Sequence, residues 1–363
     1  VLTDPAGERL AATYIPGDQP AGVLLLEGFG SDQVALRSIA SEFARSGVHV
    51  LSFDFSGHGR SPGVLTFDNA ATDRLAIQVL AARDKLVSLS GLAPDQIIFL
   101  GHSMGARVAL QAATMDARQS AGLILLGTQV NLETNVQSEV FTGVTDTDMA
   151  WIQSLGPNNP PTNVLMVSGR GDDILTPANA RLLLNKLVGG PAGDGEPFGD
   201  LQAGTGRELL ILDRLLHNYE IYAPQALTEA KEWASTIWGN PEMPAAATAS
   251  RRIMLWLLAL GGIFLAILGG ERWAASALPP PRTTPRTISI ESTKRFLWSK
   301  LLLWVPAVPL SVLVAGSLFI VPLGLPVFNM IYIGFIGGYG LLMLLLYWRG
   351  WMPGVEGRLP FGG

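Results

Sequence analysis

Residues Gly101-His102-Ser103-Met104-Gly105 have the types and spacing of a serine held out for nucleophilic attack. An apolar run, residues 96–100, precedes them, and a helix-forming stretch, residues 106–113, follows. The order predicts a buried strand, a tight turn of small residues and a helix. Glycines on both sides of Ser103 let the chain turn sharply, so its hydroxyl stands at the carboxyl end of a sheet.

Such a hydroxyl needs a base and a group that orients the base. The chain has four histidines, His49, His58, His102 and His217. His102 sits inside the turn, where its side chain is expected to point away from the attack position. His49 lies in an apparent strand and His58 in the Gly-rich turn Gly57-His58-Gly59. His217 follows the strand predicted at 208–213 and precedes a helix starting near Pro224, a place from which an imidazole reaches a neighbouring strand end. The acid is sought between them, after the strand at 163–168. Asp172 stands three residues past Gly169 and is favoured. Asp173 is the competitor, and whichever is not used suits a helix N-terminus.

Taken together these features resemble an α/β-hydrolase over residues 8–240. Its elbow, its Gly169-x-x-Asp172 loop, its His217 and its Asp54-x-x-Gly57-His58-Gly59-x-Ser61 turn occur in that family's order. The resemblance implies an α/β fold with a mostly parallel central sheet, and a catalytic set of Ser103, Asp172 and His217. It also implies an oxyanion hole made by the backbone N–H groups of Met104 and Phe29, each commonly worth about 3 kcal/mol. One departure is Glu27, where the family usually has histidine before the glycine. Its carboxylate is expected to enter a polar network under the loop, leaving the backbone role intact.

Alternation of apolar runs and helical patterns supports the same architecture. Strands are predicted at 23–27, 48–53, 96–101, 122–127, 163–168 and 208–213, and helices near 32–46, 68–89, 104–116, 177–188 and 224–237. A small lid fits residues 128–162. Trp151 and Phe141 there are candidates for substrate binding, with packing of the lid onto the core as the alternative for both.

The 363 residues exceed one such domain. After a catalytic domain at 1–240 and a linker at 241–252, apolar stretches at 253–270, 301–321 and 327–348 are read as an all-α segment of three transmembrane helices. A basic loop, 271–300, and a tail, 349–363, complete the chain. Trp273, Trp298, Tyr347, Trp348 and Trp351 suit an interfacial belt. Residues 1–250 hold 15 Lys/Arg and 27 Asp/Glu (net −12), and residues 251–363 hold 10 and 3 (net +7), which recovers the overall −5. The acidic half argues against nucleic acid as a partner. Six basic residues in the 271–300 loop put that loop in the cytoplasm and the first domain outside. Export implies a signal peptide or further helix ahead of Val1, since no apolar h-region lies in the first thirty residues.

There are no cysteines, which excludes disulfides and thiol chemistry, and the sparse histidines suggest neither a metal nor another cofactor. The reading is a membrane-anchored serine hydrolase acting on a small or lipid-like carboxylic ester, with oligomers formed through the membrane helices as a further partner option. The alternatives are a peptidase or thioesterase on the same fold, and a non-catalytic membrane sensor or assembly module.

Overall fold

The computed structural model describes residues 2–64, 69–116, 120–128, 130–132, 149–157 and 162–239, and, further on, 304–320, 327–349 and scattered positions between 254 and 303. The chain divides into two compact units, Val1–Met254 and Leu255–Gly363.

In the first unit, two short strands, β1 (Leu2–Thr3) and β2 (Arg9–Leu10), pair with each other. The main sheet has seven strands: β3 (Ala12–Ile15), β4 (Gly22–Leu26), β5 (His49–Phe53), β6 (Ile97–His102), β7 (Gly122–Leu126), β8 (Val164–Gly169) and β9 (Arg207–Leu212). Their spatial order is β3-β5-β4-β6-β7-β8-β9, with β3 antiparallel and the rest parallel. This is the α/β-hydrolase fold with its mostly parallel central sheet.

Parallel strands covered on both faces read as unbroken apolar runs. Every residue of β4, β6, β7 and β8 is buried accordingly. Alternate residues then serve opposite faces. Leu24, Leu26, Phe99, Leu123 and Leu125 meet helices α2 (Asn69–Ser90), α3 (Met104–Met115) and α5 (Pro177–Val188). Val23, Leu25, Ile98, Leu100, Ile124 and Leu126 meet α1 (Arg37–Arg45) and α6 (Pro224–Trp238). Proline opens and a left-handed glycine closes both α5 and α6, the asymmetry that marks helix ends. Between β7 and β8 the described residues include the short helix α4 (Ala150–Ser154), which lies in the expected lid; residues 133–148 of that lid, Phe141 among them, are outside the described residues.

The second unit holds α7 (Trp304–Ile320) and α8 (Val327–Trp348). They approach closely at Gly338, where a Cβ would lie 2.4 Å from the Cα of Ser311, and the Ser311 hydroxyl donates to the carbonyl of Phe335 at 3.0 Å. Three transmembrane helices were expected at 253–270, 301–321 and 327–348; parts of these stretches, most of all of the first, lie outside the described residues, and those described do not support the spans. Among the described residues no helix is long and apolar enough to cross a membrane. The second stretch yields α7, 17 residues with Pro309 inside. At 1.5 Å per residue that is about 26 Å, short of a hydrocarbon core of about 30 Å, and the proline removes a backbone donor.

Candidate active site

β6 ends at His102, and α3 begins at Met104, leaving Ser103 as the single hinge residue. Its backbone has φ 55° and ψ −117°, a conformation that costs an L-residue about 1–3 kcal/mol. The flanking glycines make that turn possible by close approach. A Cβ on Gly105 would stand 2.3 Å from the Leu26 carbonyl oxygen, and one on Gly101 would stand 2.4 Å from that of Gly105. The Ser103 N–H donates to Leu126 O at 2.9 Å, pinning the hinge to β7.

His217 comes from the 3₁₀ turn His217–Tyr222 that follows β9. Its Nε2 accepts from the Ser103 hydroxyl at 3.0 Å, and its Nδ1–H donates to Asp172 Oδ2 at 2.9 Å. These partners assign the tautomer. Asp172, 3% exposed, lies in the loop between β8 and α5. Its other oxygen accepts from the N–H groups of Ile174 and Leu175 at 3.0 and 2.8 Å. Asp173 is exposed. Three residues from three strand ends thus form one hydrogen-bonded line, and of the two aspartates it is Asp172 that joins it.

The loop after β4 lies against the hinge. A Cβ on Gly28 would sit 3.0 Å from His102 Nδ1 and 3.3 Å from Ser103 Cβ. Glu27 is fully buried. Its Oε1 accepts from Phe55 N–H at 2.8 Å and from His58 Nδ1 at 3.2 Å, while Oε2 has no hydrogen-bond partner. The other nitrogen of His58 accepts, at 3.4 Å, from the N–H of Gly30 in that same loop. Burial pushes the Glu27 carboxyl up to about 7 against the opposing pull of His58.

Two residues behind His217 were assigned no place in the site by sequence. His102 stacks on the His217 ring, centroids 4.8 Å apart, and its Nε2–H donates to the His217 carbonyl oxygen at 3.1 Å. Burial, then the neighbouring His217, pull it down to about 4, so it is neutral at ordinary pH. Glu220 is 1% exposed; Oε1 accepts from Gly169 N–H at 2.7 Å, and Oε2 is unpartnered. Burial, then Asp172, push it up to about 9. A 3₁₀ turn has three residues per turn, so position 220 falls above position 217; that spacing was the available signal. His102, His217 and Glu220 offer three ligand atoms within 4.8 Å of one another. Two of the three, His102 Nε2 and His217 Nδ1, already donate protons to other acceptors.

Of the lid candidates, Trp151 is partly buried against the core, with the Arg107 guanidinium 5.4 Å from its ring centre. Arg107 also donates to Met149 Sδ at 2.9 Å, tying α3 to the lid.

Residues 17–167 match a family described as Hydrolase_4, serine aminopeptidase, S33. The match contains Ser103 and stops before Asp172 and His217. Two uncharacterized proteins from Mycobacterium tuberculosis strains, CDC 1551 and H37Rv, are 33% identical over 123 residues, which is 33% of this chain and 41% of each relative. The alignment therefore spans less than half the length of those relatives. Similar solved structures include the α/β hydrolase GrgF from a Penicillium species (16% identity, TM-score 0.49, 65% of this chain and 97% of that one). Esterase Est1E from Butyrivibrio proteoclasticus with ferulic acid bound is 17% identical (TM-score 0.46, 65% and 96%). A thermophilic esterase from Thermogutta terrifontis is likewise 17% identical (TM-score 0.46, 65% and 97%).

Proposed function

We propose that this chain is a serine hydrolase that cleaves carboxylic esters through an acyl-serine intermediate. The observation that carries the proposal is the line Ser103 Oγ–His217–Asp172 built on a strained hinge. Ser103 attacks the ester carbonyl while His217 Nε2 takes its proton. Asp172, buried and already bonded to Nδ1–H, orients the ring and stabilises the imidazolium. The N–H groups of Met104 and Phe29 hold the oxyanion of the tetrahedral intermediate. His217 returns the proton to the leaving alcohol, then activates water to release the acid and regenerate Ser103. Trp151 and Phe141 are proposed to line the acyl side of the site.

A second reading, peptide-bond hydrolysis, is favoured by the description of the matched family as serine aminopeptidases. The hydrogen-bonded line does not encode the leaving group. A panel of p-nitrophenyl esters of increasing acyl length beside aminoacyl p-nitroanilides, with Ser103→Ala as control, separates the two. Ester turnover that vanishes in the variant supports the first reading; anilide turnover alone supports the second. A purely sensory role is disfavoured because binding requires none of the three residues to be so joined.

Membrane attachment of the second unit is a separate proposal, supported by exposed Val305, Val312, Leu313, Ile336 and Leu344 rather than by any spanning helix. Release of the chain from membranes by alkali without detergent would count against it.

A further inference from the structure

The loop carrying Asp172 and the turn carrying His217 come from different strands, yet their separation must hold to a few tenths of an ångström for the imidazole to stay aligned. Glu220 joins them. It sits on the His217 turn, and its Oε1 accepts from Gly169 N–H, 2.7 Å away, at the end of β8. Gly169 O in turn accepts from Asp172 N–H at 3.0 Å. Two consecutive hydrogen bonds therefore run from the base's own turn to the acid.

Its second oxygen raises a question of charge. Oε2 lies 4.0 Å from His217 Nδ1 and 3.8 Å from His102 Nε2, buried, with no hydrogen-bond partner. The titratable groups facing Glu220 are Asp172 from the loop after β8, His102 from the end of β6 and His217 from its own turn. The adjoining end of β7 presents Gly127, where a Cβ would stand 2.2 Å from Oε2. An ionised Glu220 would be a second anion beside Asp172, competing with it for the Nδ1 proton. Two carboxylates sharing a dry site do not both ionise.

On the serine-hydrolase reading above, we propose that Glu220 is a positioning residue: a neutral carboxylic acid that clamps the His217 turn to the Asp172 loop and leaves Asp172 the sole anion on the imidazole. Glutamine reproduces a neutral acid in shape and in its acceptor; alanine removes the clamp. The high carboxyl pKa already described agrees with the neutral form.

The test uses the full chain as wild type, Glu220→Gln and Glu220→Ala, with p-nitrophenyl butyrate as substrate and a fluorophosphonate to count reactive serines. The expected result is kcat per reactive serine at least about tenfold lower in Glu220→Ala with KM within about twofold. In Glu220→Gln, kcat recovers to within about threefold of wild type, and the acidic limb of kcat/KM against pH stays where it is in wild type. Unchanged kcat in Glu220→Ala overturns the clamp. A Glu220→Gln enzyme as slow as alanine, with its acidic limb moved to lower pH, overturns the neutral acid and makes Glu220 a working anion. If Glu220→Ala does not fold, the Glu220→Gln profile still decides. Wild type that takes no fluorophosphonate refutes the hydrolase reading instead. In that case the infrared difference between wild type and Glu220→Gln at pH 7 tests Glu220 alone: a protonated-carboxyl band lost in the variant is expected, and a lost carboxylate band overturns the proposal.

Discussion

His102 Nε2 lies 3.1 Å from the carbonyl oxygen of His217, and the two rings stack with centroids 4.8 Å apart. The residue before the hinge serine therefore holds the backbone of His217. Because burial keeps His102 neutral down to about pH 4, the contact is a constant donor over the working range. His102→Ala is expected to lower kcat about tenfold with little change in KM, and His102→Gln, which keeps a donor, to recover part of it. Steady-state kinetics of the two variants check this.

The two neighbouring aspartates give a sharper contrast. Asp172 is buried and bonded to His217 Nδ1, whereas Asp173 is exposed. Asp172→Asn should lower kcat by about 10³- to 10⁴-fold, the size of effect known when an orienting carboxylate becomes an amide that favours the wrong tautomer. Asp173→Asn should leave kcat within about twofold. Equal losses in both would remove Asp172 from its proposed role.

Gly127 has φ +50°, and a Cβ there would fall 2.2 Å from Glu220 Oε2 and 2.8 Å from His217 Nδ1. Gly127→Ala should cost about 1–3 kcal/mol from the backbone alone and disturb His217 as well. Urea unfolding alongside the ester assay should show both losses together. Retained kcat in a folded Gly127→Ala chain would mean that the site tolerates displacement of His217.

Two buried acids contribute to the pH dependence of stability, against the opposite slope that buried His102 adds between about pH 4 and its ordinary 6.5. Both carboxyls are raised above their ordinary 4.5, Glu27 to about 7 and Glu220 to about 9. Folding therefore favours their protonated forms. Each contributes its full stabilisation below about pH 4.5 and loses it as pH rises through its folded pKa. The slope for one group is at most about 1.4 kcal/mol per pH unit. Glu27→Gln should flatten the stability profile between about pH 4.5 and 7, and Glu220→Gln should also flatten it between 7 and 9. Denaturant titrations at pH 5, 7 and 8.5 measure both windows. A wild-type profile that climbs from pH 7 to 8.5 would contradict the Glu220 assignment.

Much of this architecture could be read from residue patterns. Buried parallel strands advertise themselves as runs such as 22–26 and 122–126, and Pro177 with Gly189 and Pro224 with Gly239 bracket two helices. Strands β1, β2 and β3 were missed because two to four residues, six of the eight exposed or partly so, carry no periodicity. The order Ser103, Asp172, His217 was legible because each follows an apolar run. Glu220 was not, because its three-residue spacing from His217 carries meaning only once residues 217–222 are known to form a 3₁₀ turn, and its proximity to Gly169 depends on that turn. Hydropathy registers how apolar a stretch is, and not whether one helix runs through it: of the apolar stretch 301–321 the described helix α7 takes 17 residues, with Pro309 inside.

The most direct test of the proposed chemistry is fluorophosphonate labelling of the full chain, followed by peptide mapping of the adduct, with Ser103→Ala and His217→Ala beside wild type. One adduct per chain on Ser103 is predicted, absent in Ser103→Ala and slowed at least about 10³-fold in His217→Ala. A folded wild-type chain that takes no label, or an adduct that persists in Ser103→Ala, would contradict Ser103 as the nucleophile.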